Sequence, residues 1–266
     1  VYWGDLINFL TTLTIPLAGF SASPGVAPRP LEGVRVIDLS HVLAGPLCTY
    51  ELALMGASVL KIESPGQGDM YRRLGSDTTL SARGMGTSFM GAAAGKRSLA
   101  VDLKAAEGLL IVRSLLREGD ILVQNFRPGV AERLGLGYKD CKAIRPQLVY
   151  CAISGFGQHG PMRDMPAVDH VMQGSSGMMA VTGPRDGPPM RVGYAAADTA
   201  SALIAGMAVL GALLSPLVGG ASTALKLLLV SASVGLVASL LRLARTLELD
   251  ERLVLVAVPL LWTRPF

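Results

Sequence analysis

A chain of 266 residues is long enough for one large domain or two small ones. Half of the residues are hydrophobic, and the 17% that are charged lies below the roughly 25% of an average soluble domain. The formal charge of +4 is small, and the sequence has no long Lys/Arg run or aromatic-rich basic patch, so a nucleic-acid partner is not expected.

The first thirty residues do not predict a domain. Residues 6–28 carry no charge, and Ser21-Ala22-Ser23 has the small side chains of a cleavage site. A secretory signal needs basic residues ahead of its apolar run, and none is present here. We expect residues 1–30 to be a poorly specified leader.

From residue 31 the sequence alternates short apolar runs with helical patterns. Residues 34–39 predict a buried strand, residues 47–55 a helix that follows Gly45-Pro46, and residues 58–62 a second strand. Such a unit predicts a parallel strand pair joined by a right-handed crossover.

The same alternation continues along the next ninety residues. Further strands are expected at 98–102, 121–123 and 148–153, with helices at 105–117 and 138–144. Strands that alternate with helices predict an α/β fold, here with a Rossmann-like, mostly parallel sheet and flanking helices.

An uncharged stretch follows at residues 199–225. It is compatible with a buried helix at residues 196–214 or with a membrane span, although Ser215-Pro216 interrupts it. A second apolar run occupies residues 227–241, so membrane contact by a helical C-terminal tail at residues 215–266 remains open.

The turn after the first strand is where parallel sheets bind ligands. This turn has Gly45 alone, whereas a dinucleotide fold needs a G-x-G-x-x-G pattern, so NAD is disfavoured. Walker A, zinc-ligand and G-x-S-x-G patterns are also missing from the sequence. The three cysteines, Cys48, Cys141 and Cys151, have no metal-binding spacing and indicate free thiols in a reducing compartment.

Six short segments carry the most specific signal. They are Leu31 to Pro46, Lys61-Ile62-Glu63, Gly95 to Ser98, Asn125 to Gly129, Val168-Asp169-His170 and Gln173 to Gly177. In this order and spacing they resemble the family III coenzyme A transferases (CaiB/BaiF, formyl-CoA transferase-like). The resemblance covers about residues 31–214 and implies the large α/β domain of that family.

The resemblance implies a coenzyme A site. From the local sequence alone, His41 is expected to be a turn residue and Lys96 is expected to lie on the solvated surface. Two departures from the family pattern are Leu43, where the formyl-CoA branch has a polar residue, and Ser64, where the family has an arginine. The residues that match the coenzyme-lining positions are His41, Val42, Leu43, Lys96, Asn125, Phe126 and Arg133.

Asp169 is the expected catalytic residue. On local physics an aspartate at a helix start is an N-cap, and a cap is compatible with a carboxylate held ionised by the helix dipole. The resemblance implies that Asp169 attacks an acyl-CoA and carries CoA as an aspartyl-CoA thioester. The implied substrates are an acyl-CoA and a carboxylic acid, and neither a metal nor a permanently bound cofactor is expected.

A racemase branch of the same family acts on 2-methylacyl-CoA with a His and an Asp. The order Asp169-His170 differs from the His-Asp order of that branch, and adjacent helical side chains point apart. The transferase is therefore the favoured interpretation, with the racemase as the alternative.

Family members are longer, with a second domain and an interlocked dimer, and the expected motifs end near Leu214. A truncated chain, a changed reading frame or a fused tail would each account for residues 215–266. We therefore expect a homodimer if the full fold forms, and otherwise a coenzyme A-binding module without turnover. The expected location is cytoplasmic, or mitochondrial or peroxisomal in a eukaryote.

Overall fold

The computed structural model describes residues 29–216, and these residues form a sheet with helices on both faces. Every strand is a short run of mainly apolar residues, as a sheet covered on both sides requires. The five strands are β1 (Arg35–Asp38), β2 (Ser58–Glu63), β3 (Arg97–Ala100), β4 (Ile121–Gln124) and β5 (Val149–Ala152).

Eight helices connect and follow the strands of this described region. Two single turns of 3-10 helix lie at Met70–Arg73 and Met178–Val181. The helices are α1 (Ala44–Leu54), α2 (Thr78–Ala82), α3 (Thr87–Ala93), α4 (Ala106–Glu118), α5 (Val130–Arg133), α6 (Tyr138–Ile144), α7 (Asp169–Ser175) and α8 (Ala196–Leu214).

The strands are all parallel, in the order β3-β2-β1-β4-β5. The chain therefore winds outward from β1 in one direction and then returns to the other side of β1 with β4. In such sheets ligands bind beyond the carboxyl ends of the strands, where the order reverses. The prediction of an α/β fold with a parallel sheet and flanking helices is confirmed.

Alternation along the strands builds an apolar core on each face. In β1, Val36 packs with Leu52 of α1 and Val209 of α8 on one face. Its neighbour Ile37 packs with Val112 of α4 on the opposite face. Successive strand residues point to opposite faces, so one four-residue strand supports both cores.

The helix boundaries differ from the prediction in two places. Helix α1 begins at Ala44 rather than residue 47, which places Pro46 inside the first turn, where its missing N–H costs no helical hydrogen bond. The connection from β2 to β3 contains α2 and α3, which were not predicted because five and seven residues are too short for a clear apolar period.

Helix α8 spans the residues predicted for a buried helix. Its 19 residues have a mean hydropathy of 1.7, so within residues 29–216 it is the one helix long and apolar enough to cross a membrane. Core helices of soluble proteins meet the same criterion, and Ala202 and Val209 of α8 are buried in this fold. The predicted leader and the predicted helical tail lie outside the described residues.

Candidate active site

The turn after β1 and the turn after β4 are joined at the reversal point of the sheet. The backbone N–H of His41 donates to Asn125 Oδ1 at 2.8 Å, and Asn125 Nδ2 donates to the His41 carbonyl at 2.7 Å. The Phe126 ring lies 6.2 Å from the His41 ring, centroid to centroid. Three of the predicted coenzyme-lining residues therefore lie together at the edge where parallel sheets bind ligands.

The turn continues through Val42 in an unusual backbone conformation. Val42 has a φ of 71°, a left-handed value that is an outlier for a β-branched side chain. The buried Asp69 carboxylate accepts the Val42 N–H at 3.2 and 3.3 Å and so holds this conformation. Leu43 follows as the N-cap residue of α1.

Lys96 lies behind this turn, inside a buried group of charges. Its ammonium donates to Asp38 Oδ2 at 3.0 Å, to the Pro46 carbonyl at 2.7 Å and to Thr49 Oγ1 at 2.7 Å. An ammonium has three N–H donors, and the Lys96 side chain is only 2% exposed. Burial raises the pKa of Asp38, but Lys96 and Lys61, together with hydroxyl donors, outweigh it and hold that pKa below its ordinary value.

This arrangement directs Lys96 towards the protein, although the sequence predicted that it meets the coenzyme. Arg133, at the last position of α5, is exposed instead. Its guanidinium can reach a phosphate in solvent, whereas all three N–H donors of the Lys96 ammonium already bind protein acceptors. The contacts of both residues with coenzyme A stay predictions.

A second buried ion pair stabilises the loop after β2. Glu63 accepts Arg72 Nε and Arg72 Nη2, each at 2.6 Å, and also accepts Ser98 Oγ at 2.6 Å and the Asp69 N–H at 2.8 Å. The same Asp69 binds Lys61 Nζ at 2.9 Å. These contacts connect β2 and β3 to the Val42 turn.

Asp169 occupies the first position of α7 and is 6% exposed. It does not cap its own helix, whose N-cap is Val168. Its Oδ1 accepts the backbone N–H groups of Ala197 at 2.9 Å and Asp198 at 3.1 Å, in the first turn of α8. Asp169 is therefore not the N-cap of α7, but its carboxylate accepts the first N–H groups of α8 as a capping side chain would.

The second oxygen of Asp169 has side-chain partners. Gln173 Nε2 donates to Oδ2 at 2.6 Å, and His170 Nδ1 lies 3.4 Å from the same oxygen. The expectation that His170 and Asp169 point apart is wrong, because Nδ1 is the ring nitrogen nearest the backbone and reaches back to the first helical position. Arg191 Nη1 lies 2.9 Å from His170 Nε2.

Asp198 lies close to Asp169 and is not among the predicted site residues. It belongs to the first turn of α8 and lines a cavity of about 160 Å³ at the carboxyl ends of β4 and β5. Burial raises the pKa of Asp198, the Asp169 charge raises it further, and His170 opposes them weakly. Other residues that line this cavity are Ala44, Asn125, Ser154, Gly155 and Val168.

A sequence signal for Asp198 did exist. It is the single charged residue in the 19 residues of α8, and it falls in the first turn, where a carboxylate is favoured by the helix dipole. Within residues 29–216 no group of three His, Cys, Asp or Glu side chains is arranged to hold a metal ion.

Comparison with known proteins gives consistent matches. The model of CoA-transferase family III matches residues 31–248, which extends beyond residue 214, where the recognised motifs end. The succinate–glutarate CoA-transferase of Agrobacterium fabrum is 41% identical over 194 residues, which are 72% of this chain and 48% of that protein. The acetyl-CoA:oxalate CoA-transferase of Acetobacter aceti is 43% identical over 171 residues, 64% of this chain and 43% of that protein.

A solved structure shares the fold as well. A CaiB/BaiF family protein from Brucella suis aligns with a TM-score of 0.66 and 38% identity, over 70% of this chain and 50% of that chain. The chain spans about half the length of the curated relatives it matches.

Proposed function

The chain belongs to CoA-transferase family III, and on this basis we propose that it moves coenzyme A from an acyl-CoA to a carboxylic acid. The names of the similar proteins include succinate, glutarate and oxalate, which are dicarboxylic acids. A dicarboxylic acid is therefore the proposed acceptor. The supporting geometry is a pair of aspartates beside a cavity at the ligand-binding edge of a parallel sheet.

The proposed attacking group is Asp169, the residue that the family resemblance implies. It occupies the first position of α7, and its neighbour Val168 lines the cavity at the ligand-binding edge of the sheet. Its Oδ1 accepts the N–H groups of Ala197 and Asp198, and its Oδ2 accepts Gln173 Nε2, so the carboxylate is held in one orientation. The observation that carries the proposal is this fixed carboxylate beside the cavity.

The reaction proceeds by two exchanges at one carboxylate. An Asp169 oxygen bonds to the thioester carbonyl carbon, the C–S bond breaks, and CoA leaves as a thiolate from a mixed anhydride. The thiolate then attacks the side-chain carbonyl carbon of Asp169, which releases the donor acid and leaves an aspartyl-CoA thioester. The acceptor carboxylate attacks that thioester, and the thiolate finally takes the acyl group from the second anhydride.

A second carboxylate, Asp198, lies beside Asp169. It lines the cavity, and burial together with the Asp169 charge raises the pKa of Asp198. A partly closed cavity also excludes water, which would hydrolyse the anhydride.

Mass spectrometry tests this assignment on the full chain. We expect incubation with succinyl-CoA to add CoA to the peptide that contains Asp169, and expect Asp169→Ala to lose the adduct. Asp198→Ala tests the neighbouring carboxylate, and the exposed Asp186→Ala is the matched control. An adduct that survives Asp169→Ala, or that maps to residue 198, would reject Asp169.

Two alternatives are separated by the same samples. The contact of His170 with Asp169 provides an acid/base pair for the racemase, which would exchange the α-proton of a 2-methylacyl-CoA for deuterium without an adduct. The second alternative is a coenzyme A-binding module, which would bind CoA in a calorimetric titration without turnover. A homodimer in the cytoplasm is proposed, and light scattering of the purified chain tests the dimer.

A further inference from the structure

We infer that Asp69 is a positioning residue for the coenzyme, acting with Lys61 as a buried ion pair that holds the backbone on both sides of His41. This role rests on the proposed function, because the turn at residues 40–43 carries three of the predicted coenzyme-lining residues. Neither Asp69 nor Lys61 is among the predicted site residues.

Val42 has a strained backbone. Its φ of 71° is a left-handed value, which a side chain branched at Cβ disfavours. Within residues 29–216 it is the one residue other than glycine that has a positive φ. Such a conformation persists only where the surrounding contacts hold it, and it is typical of functional sites. The group that holds Val42 is therefore a candidate for a functional role.

Asp69 is the group that holds Val42. The Val42 N–H lies between the two carboxylate oxygens, with its nitrogen 3.2 Å from Oδ1 and 3.3 Å from Oδ2. Oδ1 also accepts the Tyr71 N–H at 3.0 Å, and Oδ2 binds Lys61 Nζ at 2.9 Å. Asp69 is 1% exposed, so water does not replace these bonds. The carboxylate is therefore held in one orientation by three different residues.

Lys61 extends the hold of this ion pair to the other side of His41. Its buried ammonium donates to the Ser40 carbonyl at 2.6 Å, and the N–H and carbonyl of His41 are bound to Asn125. The two peptide groups that flank His41 Cα are thus each bound at the carbonyl and at the N–H. All of these partners are side chains from outside the turn.

A turn that is fixed in this way offers the coenzyme a preformed surface. Binding to a preformed surface does not require the chain to be ordered first, so affinity is higher. Without the Asp69 carboxylate, Val42 can return to an ordinary conformation, which would shift His41 and Leu43. Asp69 and Lys61 are both buried, so their effect on the coenzyme acts through the turn.

A double-mutant cycle separates this role from a general effect on stability. Asp69→Asn keeps the shape of the side chain but removes one acceptor oxygen and the negative charge. Val42→Gly introduces the residue that adopts a positive φ without strain. Asp186→Asn is the matched control for the first change, since Asp186 is exposed. Urea denaturation gives the folded fraction of each variant.

The first measurement is calorimetric titration with CoA. We expect Asp69→Asn to weaken CoA binding about tenfold, the factor that one lost buried hydrogen bond produces. In the Val42→Gly background the same change should weaken binding less than about threefold, because glycine needs no carboxylate to hold its φ. Asp186→Asn should bind CoA as the unmodified chain does. Equal weakening in both backgrounds, or none in Asp69→Asn, would overturn the inference.

The second measurement needs no ligand. The three-bond NMR coupling between the N–H and Hα of residue 42 depends on its φ. We expect this coupling to change in Asp69→Asn, because Val42 leaves the left-handed region. An unchanged coupling would overturn the inference. If Asp69→Asn alone does not fold, we expect the double variant Val42→Gly/Asp69→Asn to fold, and a double variant that stays unfolded would also overturn it.

Failure of this role and failure of the proposed function look different. If the coupling changes as expected but the unmodified chain neither binds CoA nor is labelled by succinyl-CoA, the hold of Asp69 on the turn stands and the transferase assignment fails. If succinyl-CoA labels Asp169 at equal rates in all variants, with an unchanged coupling, the transferase stands and the positioning role fails.

Discussion

The ion pair between Glu63 and Arg72 offers a direct test of how the ligand-binding edge is held together. Glu63 is 3% exposed and accepts four hydrogen bonds, two of them from Arg72. Glu63→Gln keeps the shape but replaces one acceptor oxygen with a donor group. Two of the four donors then lose their partner, and Arg72 loses its counter-charge.

The pKa of Glu63 gives the size of the effect. Burial raises this pKa, but the hydrogen bonds of Arg72, Ser98 and the Asp69 N–H outweigh burial and lower it from 4.5 to about 2. At 1.36 kcal/mol per unit, this difference corresponds to about 3 kcal/mol of unfolding free energy. Because the pKa is lowered in the fold, the contribution is complete above about pH 4.5 and is lost as pH falls towards 2.

Urea denaturation followed by circular dichroism measures this contribution. At pH 7 we expect Glu63→Gln to lower the unfolding free energy by about 3 kcal/mol. The gap between variant and unmodified chain should shrink as the pH falls. Glu107→Gln, on an exposed position of α4, should change stability by less than about 0.5 kcal/mol. A loss below about 1 kcal/mol at pH 7, or one that does not depend on pH, would refute the reasoning.

Three further changes address the same edge of the sheet. Lys96→Met leaves the Asp38 carboxylate buried without its nearest cation and should cost about 3 kcal/mol in urea denaturation, with little change in CoA affinity of the folded fraction. Asn125→Asp removes the amide that donates to the His41 carbonyl and should lower the unfolding free energy by about 1–3 kcal/mol. In Gly45→Ala the new methyl group would overlap the Ser40 side chain, so thermal unfolding should show a loss of about 1–3 kcal/mol.

Each of these has a result that contradicts it. A large loss of CoA affinity with unchanged stability in Lys96→Met would instead support the predicted contact of Lys96 with the coenzyme. Unchanged stability in Asn125→Asp would mean that the two turns do not depend on their reciprocal hydrogen bonds. A fully stable Gly45→Ala protein would mean that α1 shifts to make room.

The strands were predictable because a strand that is buried on both faces is a short, continuous run of apolar residues. The runs at Val36 and Leu122 are short, apolar and rich in branched residues, and each falls in a strand of the structure. The partner of each strand was not predictable in the same way. Pairing of β1 with β4 depends on hydrogen bonds between residues more than eighty positions apart.

The candidate site was predicted only in part for a similar reason. The residues after β1 and β4 were identified, and His41 and Asn125 do lie together. The contacts of Asp169 could not be predicted, because the helix whose first N–H groups it accepts begins 27 residues later in the chain, at Ala196. Lys96 was assigned to the coenzyme from a motif, while its Asp38 partner lies 58 positions earlier. The pattern of neighbouring residues in the sequence does not predict such long-range contacts.

The strand order has a consequence for the way in which this chain acquires its fold during synthesis. The central strand β1 leaves the ribosome first, but its second neighbour follows only after more than eighty further residues. Until then one edge of β1 has unpaired backbone groups and an apolar surface that favours aggregation. The cavity beside Asp198 is lined in part by α8, so it forms only after that helix has been synthesised. We expect nascent chains that stop short of β4 to be held by chaperones, whereas chains that extend past α8 should be released.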